Sequence, residues 1–371
     1  MGIAVEQVAS GAGLRQFIRF PLALYAGDPC YVPHLLSERK RFFSPANPLF
    51  EFTEVGYLLA RDEAGEVVGR VTAHINRRHN EFWGERTGFF GFFESVQRLE
   101  VAQALLTAAE HWLKERGMGL VRGPLNFSTN EECGFLVEGF DKLPVFMMPY
   151  TKPYYLDFMG QLGYAKAKDL LAYSYAHTGE IPRRLSEFAE RAARRAEATV
   201  RTMRMEAFED EVRTAFSIYN QAWAQNWGFV PMTEAEFAYM ARELRPVVDP
   251  SIALFAEVAG EPVGFSLGIP DYNPILKRMN GRLFPVGFLL FLLGRHRIRA
   301  IRVLTLGVLK EHRKRGLDAL LIYWTFANGL AKGYRWGEFS WVLEDNVLLR
   351  RALERFGAVP YKTYRIFEKA L

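Results

Sequence analysis

An internal repeat restricts the fold of this chain more than any other feature. Leu58–Val71 reads LLARDEAGEVVGRV and Leu254–Leu267 reads LFAEVAGEPVGFSL. Each is an apolar run, an Ala-Gly-Glu turn and a second run opened by Val-Gly. A turn glycine supplies the positive φ that a tight reversal demands, so each stretch predicts a β-hairpin. Farther along, Phe158–Tyr175 (FMGQLGYAKAKDLLAYSY) parallels Ala352–Lys369 (ALERFGAVPYKTYRIFEK). Both read as a helix end, a capping glycine and an aromatic-rich strand. Gly65 and Gly260 are 195 residues apart, and Gly163 and Gly357 are 194 apart. Two independent features at one offset predict a duplicated α/β unit with a mixed sheet, one copy in residues 1–180 and the other in 181–371. A chain of 371 residues has room for two such domains.

The stretch opening the second copy, Ile181–Met205, carries seven arginines. Leu185, Phe188, Ala192, Arg195 and Thr199 make no continuous apolar stripe, so it reads as an exposed helix, either a solvated face or a docking face for an acidic partner. The composition, 49% apolar and 24% charged, is that of a globular protein, and the formal charge of +5 argues weakly for an anionic partner. The two cysteines, Cys30 and Cys133, have no CxxC spacing, which argues against a disulfide framework or a zinc site. No metal and no nucleic-acid partner is expected, and a reducing, cytoplasmic setting is the default. The first residues lack the pattern of a secretory leader, and no run reaches the ~18 apolar residues of a spanning helix.

A knot of positive charge then draws attention. Ile301–Leu309 (IRVLTLGVL) reads as a strand and Leu317–Gly333 (LDALLIYWTFANGLAKG) as a helix, with Arg313, Lys314 and Arg315 grouped before Gly316. A strand that turns through glycine into a helix start points unpaired N–H groups outward, where an anion binds. The turn is therefore a phosphate cradle or a basic surface turn.

The spacing of Val308, Arg313, Gly316 and Leu317 resembles the acetyl-CoA turn of the GNAT acyltransferase superfamily. Phe339–Lys369 resembles the closing segment of that fold, with Asn346 followed eleven residues later by Gly357. The resemblance covers most of the chain, as a tandem GNAT fold. It implies an acyl-CoA or an acyl-carrier thioester as co-substrate, held by Leu306, Val308, Arg313, Lys314, Arg315, Gly316, Leu317, Ala319 and Asn346. Two residues depart from the pattern. Asp318 stands where a small residue is usual, and would face the pyrophosphate unless the turn shifts. Leu353 replaces a tyrosine that often protonates the leaving thiolate. In the first copy, Phe89–Leu106 (FFGFFESVQRLEVAQALL) has no glycine at the helix start, so that unit is expected to keep the fold without the pyrophosphate site.

Two loops stand out for acceptor binding. Arg122–Tyr155 brings Asn126, Ser128, Asn130, Glu131 and Glu132; Gln225–Phe237 brings Asn226, Trp227 and Phe229 and resembles the segment between the first two GNAT helices. Each lines a cavity or is aromatic loop packing. With the duplication, these stretches also resemble the bacterial branch that includes the bacterial ceramide synthases. That resemblance implies an N-acyltransferase joining a long-chain acyl group to a lipid-like, sphingoid-type amine. Attack by an amine needs a base and an oxyanion donor. Strand N–H groups around Leu306–Val308 are the expected donors. Glu344 and Asp345 are candidate bases, and Tyr361 and Tyr364 candidate donors to the thiolate, though all four fit surface or strand packing equally. The rival readings are a soluble N-acetyltransferase acting on a small amine or peptide, and a non-catalytic acyl-CoA or lipid-binding protein.

Arg278–Arg302 (RMNGRLFPVGFLLFLLGRHRIRAIR) encloses a twelve-residue apolar block, Leu283–Gly294. Between Lys277 and Arg315 there are eleven Lys/Arg against the single acid Glu311. The block is too short to span a bilayer; it reads as an interfacial segment or a buried helix. An anionic membrane surface, with a peripheral place on the inner membrane, and an acyl carrier protein complete the expected partners.

Overall fold

The computed structural model describes residues 2–176 and 179–371. It divides into two compact units. The first takes the residues up to Leu170, Asn273–Leu293 and Lys362–Leu371; the second takes Leu171–Tyr272 and Gly294–Tyr361. In chain order the first stretch holds β1 (Ala4–Val8), α1 (Gly11–Leu24), α2 (Leu36–Phe42), β2 (Thr53–Arg61), β3 (Val67–Asn76), α3 (Arg77–Trp83), β4 (Thr87–Ser95), α4 (Leu99–Lys114), β5 (Leu120–Gly123), β6 (Phe135–Glu138), α5 (Tyr154–Gln161) and β7 (Ala165–Ala176). There follow α6 (Arg183–Ala196), β8 (Ala198–Thr202), α7 (Phe208–Trp223), α8 (Glu234–Leu244), β9 (Ala253–Val258), β10 (Glu261–Pro270), α9 (Asn273–Met279), α10 (Val286–Gly294), β11 (Ala300–Val308), α11 (Leu317–Ala331), β12 (Trp336–Leu343), α12 (Val347–Arg355) and β13 (Val359–Ala370).

The repeat read from the sequence is the repeat of the fold. Both hairpins form, β2–β3 and β9–β10, and both turn glycines are left-handed, Gly65 at φ 80° and Gly260 at φ 82°. In the second hairpin Val258 pairs with Glu261, which leaves Ala259 (φ 52°) and Gly260 as a two-residue turn with both φ positive. The constant offset conceals two insertions. β4 begins at Thr87 and β11 at Ala300, so the spacing widens to 213 residues before it returns to 194 at the cap glycines. The second copy carries α9 and α10 between its hairpin and the next strand, and the first carries the long loop Pro124–Pro153 between β5 and α5. The two insertions nearly cancel in length.

In each unit an antiparallel meander leads into a parallel step. The first unit orders its strands β1-β2-β3-β4-β5-β13, with β6 also pairing β13; the second runs β7-β12-β11-β10-β9-β8. The step is parallel in β4–β5 and in β11–β12, with α4 and α11 as the crossovers. α4 buries Val101, Leu105, Leu106 and Leu113 against the first sheet. The other face of that sheet packs Phe17, Phe42, Phe43, Phe92 and Phe127 together, Phe17 edge-on to Phe43, Phe92 tilted against Phe43 and Phe127, and Phe42 stacked on Phe127. In the second unit α11 places Leu317, Leu320 and Leu321 among Leu254, Val263 and Val308.

α6 differs from the exposed helix expected of its arginines. Leu185, Ala189, Ala192 and Ala196 recur at helical spacing and are buried, against α11. Alanines made the stripe inconspicuous, yet their small side chains let two helices approach closely. The arginines hold the opposite, solvated face.

Both parallel pairs part early, and each longer strand carries a bulge beyond that point, β4 at Phe92–Phe93 and β11 at Leu304. β4 pairs with β5 from Thr87↔Leu120 to Phe89↔Arg122, and β11 with β12 from Ala300↔Trp336 to Val303↔Phe339. In the first unit the chain closes its own gap. The Leu125 N–H donates to the Phe90 carbonyl at 2.9 Å, and Asn126 Oδ1 accepts the Phe92 N–H at 2.8 Å. Gly91 is required there, since a Cβ would meet the Leu125 carbonyl oxygen at 1.9 Å. Asn126→Ala should therefore leave a buried N–H without an acceptor and lower stability by about 1–3 kcal/mol. Urea unfolding measures this, and an unchanged midpoint would contradict the role.

Candidate active site

The equivalent gap in the second unit stays open. β10 and β11 lose register between Leu267↔Thr305 and Gly268↔Val303, so Leu304 is an extra residue that bends β11. Beyond Val303 no strand among the described residues pairs with β11 on the β12 side. Leu304 to Gly307 are half-exposed, whereas Val263 to Pro270 of the neighbouring β10 are buried. Thr305 Oγ1 is buried there with no partner among the described residues. Leu306 and Val308 lie on this stretch, and its backbone edge can donate N–H groups to a carbonyl oxygen laid along it.

The basic turn follows at once. The N–H of Leu309 donates to Val263, and those of His312 and Arg313 close a short 3-10 turn. Lys314 adopts a left-handed φ of 64°, and Gly316, at φ 84°, is the N-cap of α11 without a side-chain cap. The first N–H groups of α11, at Leu317, Asp318 and Ala319, have no acceptor inside the helix, so they can hold an anion. Gly316 is fixed from behind by α6: a Cβ would lie 2.9 Å from Ala192 and 3.0 Å from Phe188. The Arg313 side chain donates to the Ala222 carbonyl at 2.5 Å and to the Val308 carbonyl at 3.4 Å, which ties the turn to the end of α7. Lys314 and Arg315 remain exposed on the turn. Asp318 is exposed in the first helical turn, while Leu317 and Ala319 are buried beneath it.

One wall of the open stretch is aromatic. Gly307 lies under Trp223, whose ring a Cβ would meet at 2.2 Å. Trp223 stacks on Tyr219 at 4.8 Å, and Tyr219 touches Phe229 and Phe237. The turn after α7 thus delivers Asn226 and half-buried Trp227, with Phe229 buried behind. At the base of the gap lies a buried polar group. Arg302 and Glu338 are cross-strand partners, Arg302 Nε donates to Ser340 Oγ at 2.9 Å, and Ser340 Oγ donates to Glu338 Oε1 at 2.5 Å. The Tyr361 hydroxyl donates to the other oxygen of Glu338. Glu338 and Arg302 were not singled out in the sequence; an acid and a base facing each other in apolar strands was the available sign.

Glu344 and Asp345 follow the end of β12, Glu344 half-buried and Asp345 exposed. Asn346 caps α12, its Oδ1 accepting the Leu349 N–H at 3.3 Å. Leu353 is core, packed with Tyr173 and Val342. Tyr364 is fully buried in the first unit, whereas Tyr361 belongs to the second. Asn130 and Glu131 donate their N–H groups to Ser128, and Asn126 Nδ2 also reaches Glu132 at 3.4 Å.

The first unit holds a second titratable group, likewise missed in the sequence. Glu94 on β4 is buried and accepts the hydroxyls of Tyr25 at 2.7 Å and Tyr155 at 2.8 Å. Burial pushes its carboxyl up to about 7, against the pull of Arg70 and the two tyrosines. Tyrosines also occupy the strand-to-helix turn there: Tyr155 accepts the Ser95 N–H at 3.0 Å, and Tyr154 donates to the Ser95 carbonyl at 2.7 Å.

No protein-family model matches the chain. It is 37% identical to Protein YghO of Escherichia coli (strain K12), over 96% of this chain and 93% of that protein. It is 36% identical to the bacterial ceramide synthase of Caulobacter vibrioides (strain NA1000 / CB15N), over 100% of this chain and 98% of that protein. Among solved structures, a tandem GNAT protein from the clavulanic acid biosynthesis pathway superposes with a TM-score of 0.60 at 13% identity, over 100% of this chain and 98% of that one. A GCN5-related N-acetyltransferase from Sphaerobacter thermophilus gives 0.55 at 16% identity, over 99% and 95%. At these identities the structural likeness shows the fold.

The geometry generates a test of the turn. Lys314→Glu with Arg315→Glu should weaken binding of a CoA thioester at least tenfold, because one charge-assisted contact is worth ~1.5–3 kcal/mol. Both side chains are exposed, so the melting temperature should hold. Titration calorimetry showing unchanged affinity would contradict the assignment.

Proposed function

The chain belongs to the family of Protein YghO and the bacterial ceramide synthase and is a GNAT-type acyltransferase, and on that premise we propose that it moves a long-chain acyl group from a CoA or carrier-protein thioester to a sphingoid-type amine at the cytoplasmic membrane surface. The observation that carries this reading is the open edge of β11 beside the uncapped start of α11. In this reading the pyrophosphate sits on the N–H groups of Leu317 to Ala319 under Lys314 and Arg315. The thioester lies along Leu306 and Val308, whose strand edge donates to the carbonyl oxygen as charge develops. A neutral amine attacks and the thiolate leaves. Half-buried Glu344, rather than exposed Asp345, takes the amine proton, and Tyr361 returns one to the thiolate by turning its hydroxyl away from Glu338, to which it donates in the free chain. Tyr219, Trp223 and Phe229 offer the apolar wall along which a long acyl chain or alkyl amine can lie. The first unit, its gap closed by Leu125 and Asn126, keeps the fold without a thioester site.

Each buried methylene contributes ~0.8 kcal/mol, so about two of them are worth tenfold. With purified chain, kcat/KM for a long-chain acyl-CoA and a sphingoid base should exceed that for acetyl-CoA and a short amine by at least tenfold. Mass spectrometry of the amide product measures this. Preference for acetyl transfer to small amines would contradict the lipid reading, and absence of thioester turnover with any amine would contradict catalysis.

A further inference from the structure

α10 reads VGFLLFLLG, nine residues without one polar side chain. A helix that is apolar all round belongs in a core or in lipid. This one lies in no core: Gly287 is its one buried residue, because the helix rests there on Met279 and on the Arg282 carbonyl, which a Cβ would approach to 2.1 Å. Everything else faces outward or lies half-covered. Leu293 is 74% exposed, Phe284 71%, Val286 62% and Leu289 57%. Of the fourteen large hydrophobic side chains exposed among the described residues, six fall between Phe284 and Leu293. Single exposed apolar residues need no explanation, but a concentration of this kind marks a binding surface.

The flanks say what it binds. Arg278 and Arg282 precede the helix and Arg295, Arg297 and Arg299 follow it, all exposed. Between Asp271 and Glu311 the chain has no acidic residue. A second copy docking through the same patch would bring like charges together, whereas an anionic lipid surface neutralises them and takes up the apolar side chains. At 1.5 Å per residue the helix is roughly 13 Å long, against a hydrocarbon layer of ~30 Å. No helix among the described residues is long and apolar enough to cross a membrane, so α10 suits insertion at the boundary of headgroups and acyl chains. Its base is anchored: Asn273 Nδ2 donates to the Pro144 carbonyl at 2.8 Å, the Leu36 N–H to the Gly281 carbonyl at 3.0 Å, and Lys277 to the Pro29 carbonyl. The insertion between β10 and β11 thus presents an apolar helix on a fixed base.

We propose that α10 is a membrane-docking helix that inserts into one leaflet of an anionic bilayer, with the flanking arginines at the headgroups. The proposal rests on the membrane-surface part of the function above and is independent of which amine is acylated.

Three forms of the full chain test it: wild type, Leu289→Glu with Leu293→Glu, and Arg278→Gln with Arg282→Gln. Sedimentation with vesicles of phosphatidylglycerol and phosphatidylcholine, and of phosphatidylcholine alone, reads the binding. The wild type should bind the anionic vesicles, more weakly as salt rises. The glutamate variant should bind them at least about tenfold more weakly with its melting temperature unchanged, since two apolar insertions become two charges. The glutamine variant should lose much of the preference for phosphatidylglycerol. Turnover of a short, water-soluble acyl-CoA with a soluble amine should be equal in the wild type and the glutamate variant, which separates failure of docking from failure of catalysis. A wild type that ignores both vesicles, a glutamate variant that binds as well as the wild type or fails to fold, or a wild-type dimer that the glutamates dissociate would each overturn the proposal.

Discussion

The chemistry proposed for this fold hangs on two parallel strands that part. Hydrogen bonds between β11 and β12 stop at Val303↔Phe339, while β11 runs on to Val308. A parallel ladder, once opened, exposes backbone donors that must be satisfied by something. The bulge at Leu304 turns β11 aside at the point of parting, and the uncapped start of α11 adds further donors one turn away. Such a row of oriented N–H groups is costly to keep open in a folded protein unless a ligand meets it. The first unit shows the other solution, with Leu125 and Asn126 as the partners. The same architecture thus leaves an open strand edge in one copy and a bridged one in the other.

Much of this was legible in the sequence, for reasons that are local. The turn glycines Gly65 and Gly260 must be left-handed, and Gly163 and Gly357 cap helices, so each announced its element and together they announced the duplication. The strand, the basic turn and the helix around Gly316 obey the same local chemistry. What stayed hidden depends on distance. Two insertions of similar length left the offset unchanged at both ends. The closure of the first unit joins Phe92 to Asn126, 34 residues apart, and the missing glycine near Arg98 pointed only to its consequence. Arg313 was placed at the phosphate by its charge and its spacing to Val308 and Gly316; that its side chain also donates to the Ala222 and Val308 carbonyls was not visible in that spacing. The stripe on α6 was obscured because it is built largely of alanine.

Buried ionisable groups were the least legible. Glu94 lies within FFGFFES and Glu338 within WGEFSWVL, runs whose apolar character dominates. A carboxyl placed there is desolvated, and each is therefore held by tyrosine hydroxyls, Tyr25 and Tyr155 for Glu94 and Tyr361 for Glu338. The partners come from remote parts of the chain, so no spacing betrays them. α10 is the opposite case: its composition alone set it apart, and the structure adds that its apolar side chains are exposed.

A crystal structure of the full chain with bound CoA addresses the central claim most directly, because it places every pyrophosphate on the chain at once. This account predicts one CoA per chain, with its pyrophosphate on the N–H groups of Leu317 to Ala319 beside Lys314 and Arg315, and its thiol end along the open edge of β11. A pyrophosphate at Ser95–Ala102, alone or together with the first, would contradict it.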